Sequence, residues 1–500
     1  MLKKPTIFAV AVAAAFAAAP LPSLAQSKKD SVVMGMTLEP PGLDPTNAAA
    51  AAIAEVTLYN VYETLTKINE DGSVSPLLAE SWQAAPDLKT YTFKLHKGVK
   101  FHNGEPFDSA AVKFSYERAA APTSTNKDKS LFQAFETVTA PDPETIVVAL
   151  KYSEPNLPFL LAQASASIVE PKSAPTDVTQ PVGTGPYTLG AWAKGSSITL
   201  NKWPDYRNAA AIKLSKVTIR FISDPAAQVA ALLSGDVDAY PRVAAARSLA
   251  QFKADPRFNV LVGGSKAKTI VAINERKKPL DDVRVRRAIL AAIDRKAMVD
   301  GAVDGFGAPI GSFYTPGSLG YIDTTDINPY DPEKAKKLLS EAGVTTPLEL
   351  SLRLPPPPYA RQGGEILAAQ LAKVGITAKI ENIEWAQWLS QVFAPNGPHN
   401  FDLTIVSHVE PFDLVKLTEP DFYLGYNPDA FNALYKQITA TPAEADRAKL
   451  LGDAQRMLAT DAVAGFLFQP QWITVASKKL KGVWKEVPQF ENDFSAWSWE

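Results

Sequence analysis

The chain has 500 residues, 46% of them hydrophobic and 21% charged, with a formal charge of −2 at neutral pH. That length leaves room for more than one core, and the composition excludes a disordered chain. No basic stripe appears, so nucleic acid is not an expected partner. The absence of cysteine removes disulfides, thiolate metal sites, a cysteine nucleophile and the lipidated cysteine that tethers some exported proteins.

The first residues, "MLKKPTIFAVAVAAAFAAAPLPSLAQ", combine two lysines, an apolar run and small residues at Ser23 and Ala25. They predict a secretory signal peptide cut after Ala25. The apolar run is shorter than the ~20 residues of a spanning helix and stops at Pro20 and Pro22. Cleavage takes two lysines and no acids, moving the formal charge from −2 to −4. A soluble, unanchored protein outside the cytoplasm is expected.

Next comes a short apolar strand, "SVVMGM" (Ser31 to Met36), running into a loop fixed by Pro40, Pro41 and Pro45. Tyr91, Phe93 and Leu95 alternate with polar neighbours, which predicts a half-buried strand. Asn103-Gly104 then supplies turn chemistry, and Asp108 is placed to cap a helix with Val112 and Tyr116 on one face. Val217, Ile219 and Phe221 predict another strand, followed by a helix with Asp224 as cap, Pro225 at its first position and Gly235 at its end.

Asp282 and Asp331 head two further predicted helices. A second strand-helix-strand unit covers residues 347 to 383: Leu348 to Leu354 alternate, Ile366, Leu367 and Leu371 mark a helix, and Ile376, Ala378 and Ile380 resume a strand. "FDLTIVS" (Phe401 to Ser407) adds a third strand. Such units build mainly parallel sheets under helices, and two of them far apart predict two α/β lobes. Ligands of such sheets sit beyond the strands' carboxyl ends, where "PPPPYAR" and "HVEPFD" lie.

Catalytic equipment is sparse. G-x-S-x-G is absent, and Ser-x-x-Lys at Ser124 to Lys127 and Ser265 to Lys268 lacks its companion motifs. "GGSKAKT" (Gly263 to Thr269) fails the phosphate-loop spacing and reads as a backbone crossing between lobes. His96, His102, His399 and His408 form no H-E-x-x-H pattern, so neither a metal nor another cofactor is expected. Paired carboxylates across a cleft keep a glycosidase-like hydrolase open as the enzyme alternative.

The stretch "LAESWQAAPDLKTYTFKLHKGVKFHNGEPFDSAAVKFS" (Leu78 to Ser115) resembles the fingerprint of family 5 solute-binding proteins, the dipeptide and oligopeptide class serving ABC importers. "PVGTGPY", "PLDDVRVRRAILAAIDR" and "LAAQLAKVGI" follow in the family's order. The resemblance implies a two-lobed periplasmic-binding-protein fold of type II, in the large class with an extra subdomain, and a ligand cleft between the lobes. It implies lobe I at residues 26–60, 182–265 and 480–500, the subdomain at 61–181 and lobe II at 266–479. The Asn-Gly turn would then be structural within the subdomain, His102 and Asn103 included.

The implied function is capture of a solute in the periplasm and its delivery to the permease subunits of an ABC importer by a monomer. Peptide-binding relatives hold the solute's ammonium with an aspartate after the strand matching Phe401 to Ser407; here the segment reads "SHVEPFDLVKL". Glu410 is the nearest substitute, with Asp413 in support and His408 where a tryptophan is usual. Tyr359, Trp385 and Tyr426 are candidates for the apolar walls, with Glu39 from lobe I. Relatives that hold a carboxylate use an arginine near Pro357, for which Arg353 and Arg361 are the possible replacements. Peptides, opine-like compounds, oligosaccharides and metal chelates all remain open as solutes.

Overall fold

The computed structural model describes residues 29–47, 50–394, 397–426 and 428–500. The predicted signal peptide, residues 1–25, lies outside the described residues.

Lys268–Ile273 is buried at every position, because its two faces meet different cores. Ile270 and Ala272 pack with Phe313 and Phe466, while Val271 and Ile273 pack with Leu352 and Leu403. A strand covered on both sides shows a continuous apolar run and no alternation. It belongs to a six-stranded sheet in the order Gly307–Pro309, Ala464–Pro470, Lys268–Ile273, Leu403–His408, Leu348–Leu354 and Ile376–Asn382. The last three run parallel, as the strand-helix-strand pattern predicts, with helix Pro358–Ala372 as the crossover.

A separate seven-stranded sheet has the order Phe258–Gly263, Trp472–Ser477, Ala239–Tyr240, Ser31–Met36, Lys216–Phe221, Ser197–Lys202 and Tyr187–Ala193. Ser31–Met36 pairs in parallel with both Lys216–Phe221 and Ala239–Tyr240. The helix between those two partners, Pro225–Ser234, has the predicted ends: the Asp224 carboxylate accepts from the Ala227 amide at 2.7 Å, and Gly235 closes it at φ 80°. The two lobes expected from the sequence are built on these two sheets.

The third large sheet is antiparallel and four-stranded, with Thr90–Leu95 in its interior. Helix Ser109–Ala120 covers it: Asp108 accepts from the amides of Ala110 and Ala111, and Val112 and Tyr116 share a core with Phe93 and Leu95. The turn before it is tied down on both flanks. Gly183 donates its amide to His102 Nδ1 at 3.2 Å, His102 Nε2 donates to the Gly185 carbonyl at 2.9 Å, and the Asn103 amide donates to Glu170. A Cβ on Gly183 would stand 1.9 Å from the Val61 carbonyl oxygen, so the "GTG" segment can approach this closely only as glycine.

The chain leaves the first sheet after Phe258–Gly263 and enters the second at Lys268–Ile273, through the predicted crossing. It returns between Ala464–Pro470 and Trp472–Ser477. Trp472–Ser477, within the stretch expected to belong to lobe II, pairs along its whole length with Phe258–Gly263 in the first sheet. Ile473 and Val475 pack with Tyr240 and Phe252 there. In sequence, only Gln469-Pro470-Gln471 separates the apolar residues of the two strands, and that short break marks the change of sheet.

Candidate functional site

The strand Leu403–His408 ends where the sheet meets a cleft with a cavity volume of about 120 Å³. Three groups of residues enclose it. Val409, Glu410 and Pro411 come from the second sheet's edge; Lys127, Phe159, Gln163 and Ala164 come from the region of the antiparallel subdomain; Trp472 and residues 487–490 come from the return crossing and the C-terminal segment. Ser265, Lys266 and Ala267 of the outward crossing complete the wall. Phe412 meets Phe159 edge to face at 4.9 Å, so the walls touch beside the cleft.

Glu410 is exposed into this space, and its carboxylate bonds only the neighbouring Val409 amide, at 3.2 Å. Burial between the walls acts to raise its pKa, but Lys127, His408 and Lys268 together hold it below the usual carboxylate range. Lys127 shows the mirror image: burial acts to lower its pKa, and Asp128 and Glu410 outweigh it. Its ammonium lies 2.9 Å from Asp128 and 3.5 Å from Gln163. A carboxylate and an ammonium thus face the cleft from different walls. Trp472 lines the cleft as well, and its buried indole N–H has no hydrogen-bond partner among the described residues.

Behind Glu410 lies a buried charge pair. Lys268, 1% exposed, donates to Asp413 at 2.5 Å and also to the Glu410 carbonyl. Burial pushes the Asp413 carboxyl up to about 6 even against Lys268. His408 Nε2 bonds the Tyr423 hydroxyl at 2.8 Å, with its ring stacked on Tyr423; burial first and Lys268 second bring its pKa down to about 4. His408, Glu410 and Asp413 offer ligand atoms within 4.8 Å of one another, but the Lys268 ammonium already supplies the positive charge there. Lys268 therefore fixes the backbone of the Glu410 loop through its carbonyl.

Of the seven residues expected at the site, Glu410 lines the cleft, and His408 and Asp413 support it from behind. The other four lie elsewhere. The Tyr426 hydroxyl donates to Asp461 at 2.8 Å inside a core with Phe431. Tyr359 accepts from the Ser407 amide at 3.1 Å and packs on the second sheet's core. Trp385, 40% exposed, leans edge-on against Trp388. Glu39 accepts from the Trp192 indole at 2.8 Å and from Gly195 at a hairpin of the first sheet. Arg353 is held by Glu381 and Gln391, and Arg361 pairs with Glu384.

The aromatic wall is made instead by Phe159, Trp472 and Phe490. Lys127 and Ser265, which the sequence shows only inside accidental Ser-x-x-Lys matches, both line the cleft without forming a nucleophile pair. The one available signal for Trp472 was its place just after Pro470, in the segment that changes sheets.

The family model for bacterial extracellular solute-binding proteins, family 5 (middle), matches residues 73–410. The chain belongs to this family. Family 5 proteins are binding components outside the cytoplasm, and among the described residues no helix is long and apolar enough to cross a membrane. The chain is accordingly a solute-capturing component of an ABC importer, and the comparisons lend no support to a hydrolase.

This family 5 chain is 28% identical to di/tripeptide-binding protein 1 of Pseudomonas aeruginosa (strain UCBPP-PA14), over 84% of its own length and 85% of that protein's. It is 29% identical to the glutathione-binding protein GsiB of Pectobacterium atrosepticum, over 94% of each. Among solved structures it resembles the periplasmic binding protein AgaA of A. tumefaciens R10 in complex with agropinic acid, with TM-score 0.82, 26% identity, and 94% and 99% of the two chains covered.

Proposed function

We propose that this family 5 protein captures a zwitterionic solute, a short peptide or an opine-like amino acid derivative, whose ammonium meets Glu410 and whose carboxylate meets Lys127. The observation that carries the reading is the opposed pair itself. Within a closed cleft the local dielectric falls and each charge-assisted hydrogen bond strengthens. The rings of Phe159, Trp472 and Phe490 suit the solute's apolar body. Relatives named for binding di- and tripeptides and glutathione support the short-peptide class.

In this reading the lobes are residues 26–60, 182–265 and 472–500, and residues 266–471, with 61–181 as the added subdomain, and closure is a hinge motion at the crossings. The protein works in the periplasm as a monomer, freed by cleavage after Ala25, and presents the loaded form to its permease. The test is mass spectrometry of solute carried through purification, followed by thermal melts and turnover assays with the identified compound. A zwitterion that raises the melting temperature and is recovered unchanged is expected. A solute with no ammonium group, or one converted to product, would overturn the reading.

A further inference from the structure

Next to the cleft, sharing Val487 with it, is a small chamber with a cavity volume of about 20 Å³ between the first sheet and the C-terminal segment. Arg242, Thr474, Glu491 and Asp493 are among the residues that line it. Glu491 is 3% exposed, and neither of its carboxylate oxygens has a hydrogen-bond partner among the described residues. The neighbouring charges are already matched with each other. Arg242 pairs with Glu55 at 2.5 Å, and Lys67 pairs with Asp493. Two cations thus stand against three carboxylates, and Glu491 is the one left over. A buried carboxylate without partners is costly unless something completes it.

We infer that the chamber is a second binding site, for a compact monovalent cation the size of a water molecule, with the Glu491 carboxylate as its counter-charge. Two sources supply that chemistry: a free ammonium or alkali ion, or the ammonium head of a solute side chain reaching past Phe490. The Phe490 ring lines the cleft and lies 5.6 Å from the Arg242 guanidinium, so it stands between the two spaces. Burial, the largest influence on the Glu491 carboxyl, holds its pKa well above the ordinary carboxylate range even though Arg242 opposes this.

The test uses the mature protein without added solute, at constant ionic strength set by choline chloride, whose cation is too large for the chamber. Ammonium, potassium, sodium and a series from methylamine to butylamine are titrated in turn, with melting temperature as the readout. The expected result is a saturable rise of about 2 °C or more with at least one of them, absent in Glu491→Gln. A preference for ammonium or potassium identifies a free ion, and tighter binding with growing alkyl length identifies a solute's ammonium head. Equal responses of wild type and Glu491→Gln would overturn the inference. Should that substitution fail to fold, wild-type crystals soaked in rubidium chloride decide it: an anomalous peak beside Glu491 supports the site, and its absence refutes it. Neither arm depends on Glu410, so a failure here leaves the cleft reading standing.

Discussion

Two neighbouring strands of the second sheet, Leu348–Leu354 and Leu403–His408, end at the same edge with charged residues, and only one of them brings charge into the cleft. After the first strand, Arg353 and Arg361 each find a local carboxylate, Glu381 and Glu384, and stay there. After the second, Lys268 and Asp413 take each other and leave Glu410 three residues away with only its own loop to bond. Charge reaches a ligand where neighbouring groups have already neutralised one another and left one over. The arginines expected to grip a carboxylate fail that condition; Lys127, from another part of the chain, also has a local partner in Asp128 but lines the cleft itself.

The comparison can be broken by removing the internal pair. Lys268→Ala leaves Asp413 buried without its partner and frees the loop, and should cost about 3 to 5 kcal/mol of stability in denaturant titration. A loss below about 1 kcal/mol would show that the pair does not hold the Glu410 loop.

Acid titration sharpens the same contrast. His408 titrates at about 4 when folded and near 6.5 unfolded, so its contribution is complete above pH 6.5 and fades as pH falls toward 4. Asp413 works the other way: its folded pKa of about 6 lies above the unfolded 3.8, so its contribution fades as pH rises through 6. In the wild type the two trends offset each other. Asp413→Asn should uncover the histidine, adding on the order of 3 kcal/mol of stability loss between pH 6.5 and 4 relative to wild type. Parallel curves for the two proteins would mean that burial does not raise the Asp413 carboxyl.

Lys127→Gln should weaken binding of a carboxylate-bearing solute by about 1.5 kcal/mol in calorimetry while leaving the melting temperature nearly unchanged. Smallest of all, Arg353→Ala should leave solute affinity unchanged and stability within about 1 kcal/mol, since its ion-pair partner Glu381 is exposed. A clear loss of affinity there would restore the first strand end to the site.

Much of the fold was legible because it is local. Helix caps at Asp108, Asp224 and Asp331, alternation along Leu348 to Leu354 and the glycine stops all act within a few residues, and each stands where the sequence puts it. The site was legible at Glu410, which sits at a strand's carboxyl end. Phe159, Lys127, Trp472 and Phe490 come together only through the sheet crossings, over separations of hundreds of residues, so no spacing announces them. Tyr426 fits an apolar wall by type, yet its hydroxyl finds Asp461 in the interior, and only packing decides that.

The most direct test of solute capture at Glu410 is calorimetry of the co-purified solute against wild type and Glu410→Gln. Loss of the charge-assisted bond should cost about 1.5 to 3 kcal/mol, a roughly 10- to 100-fold weaker dissociation constant, with the fold's stability intact. Equal affinity for the two proteins would contradict the reading and remove Glu410 from the site.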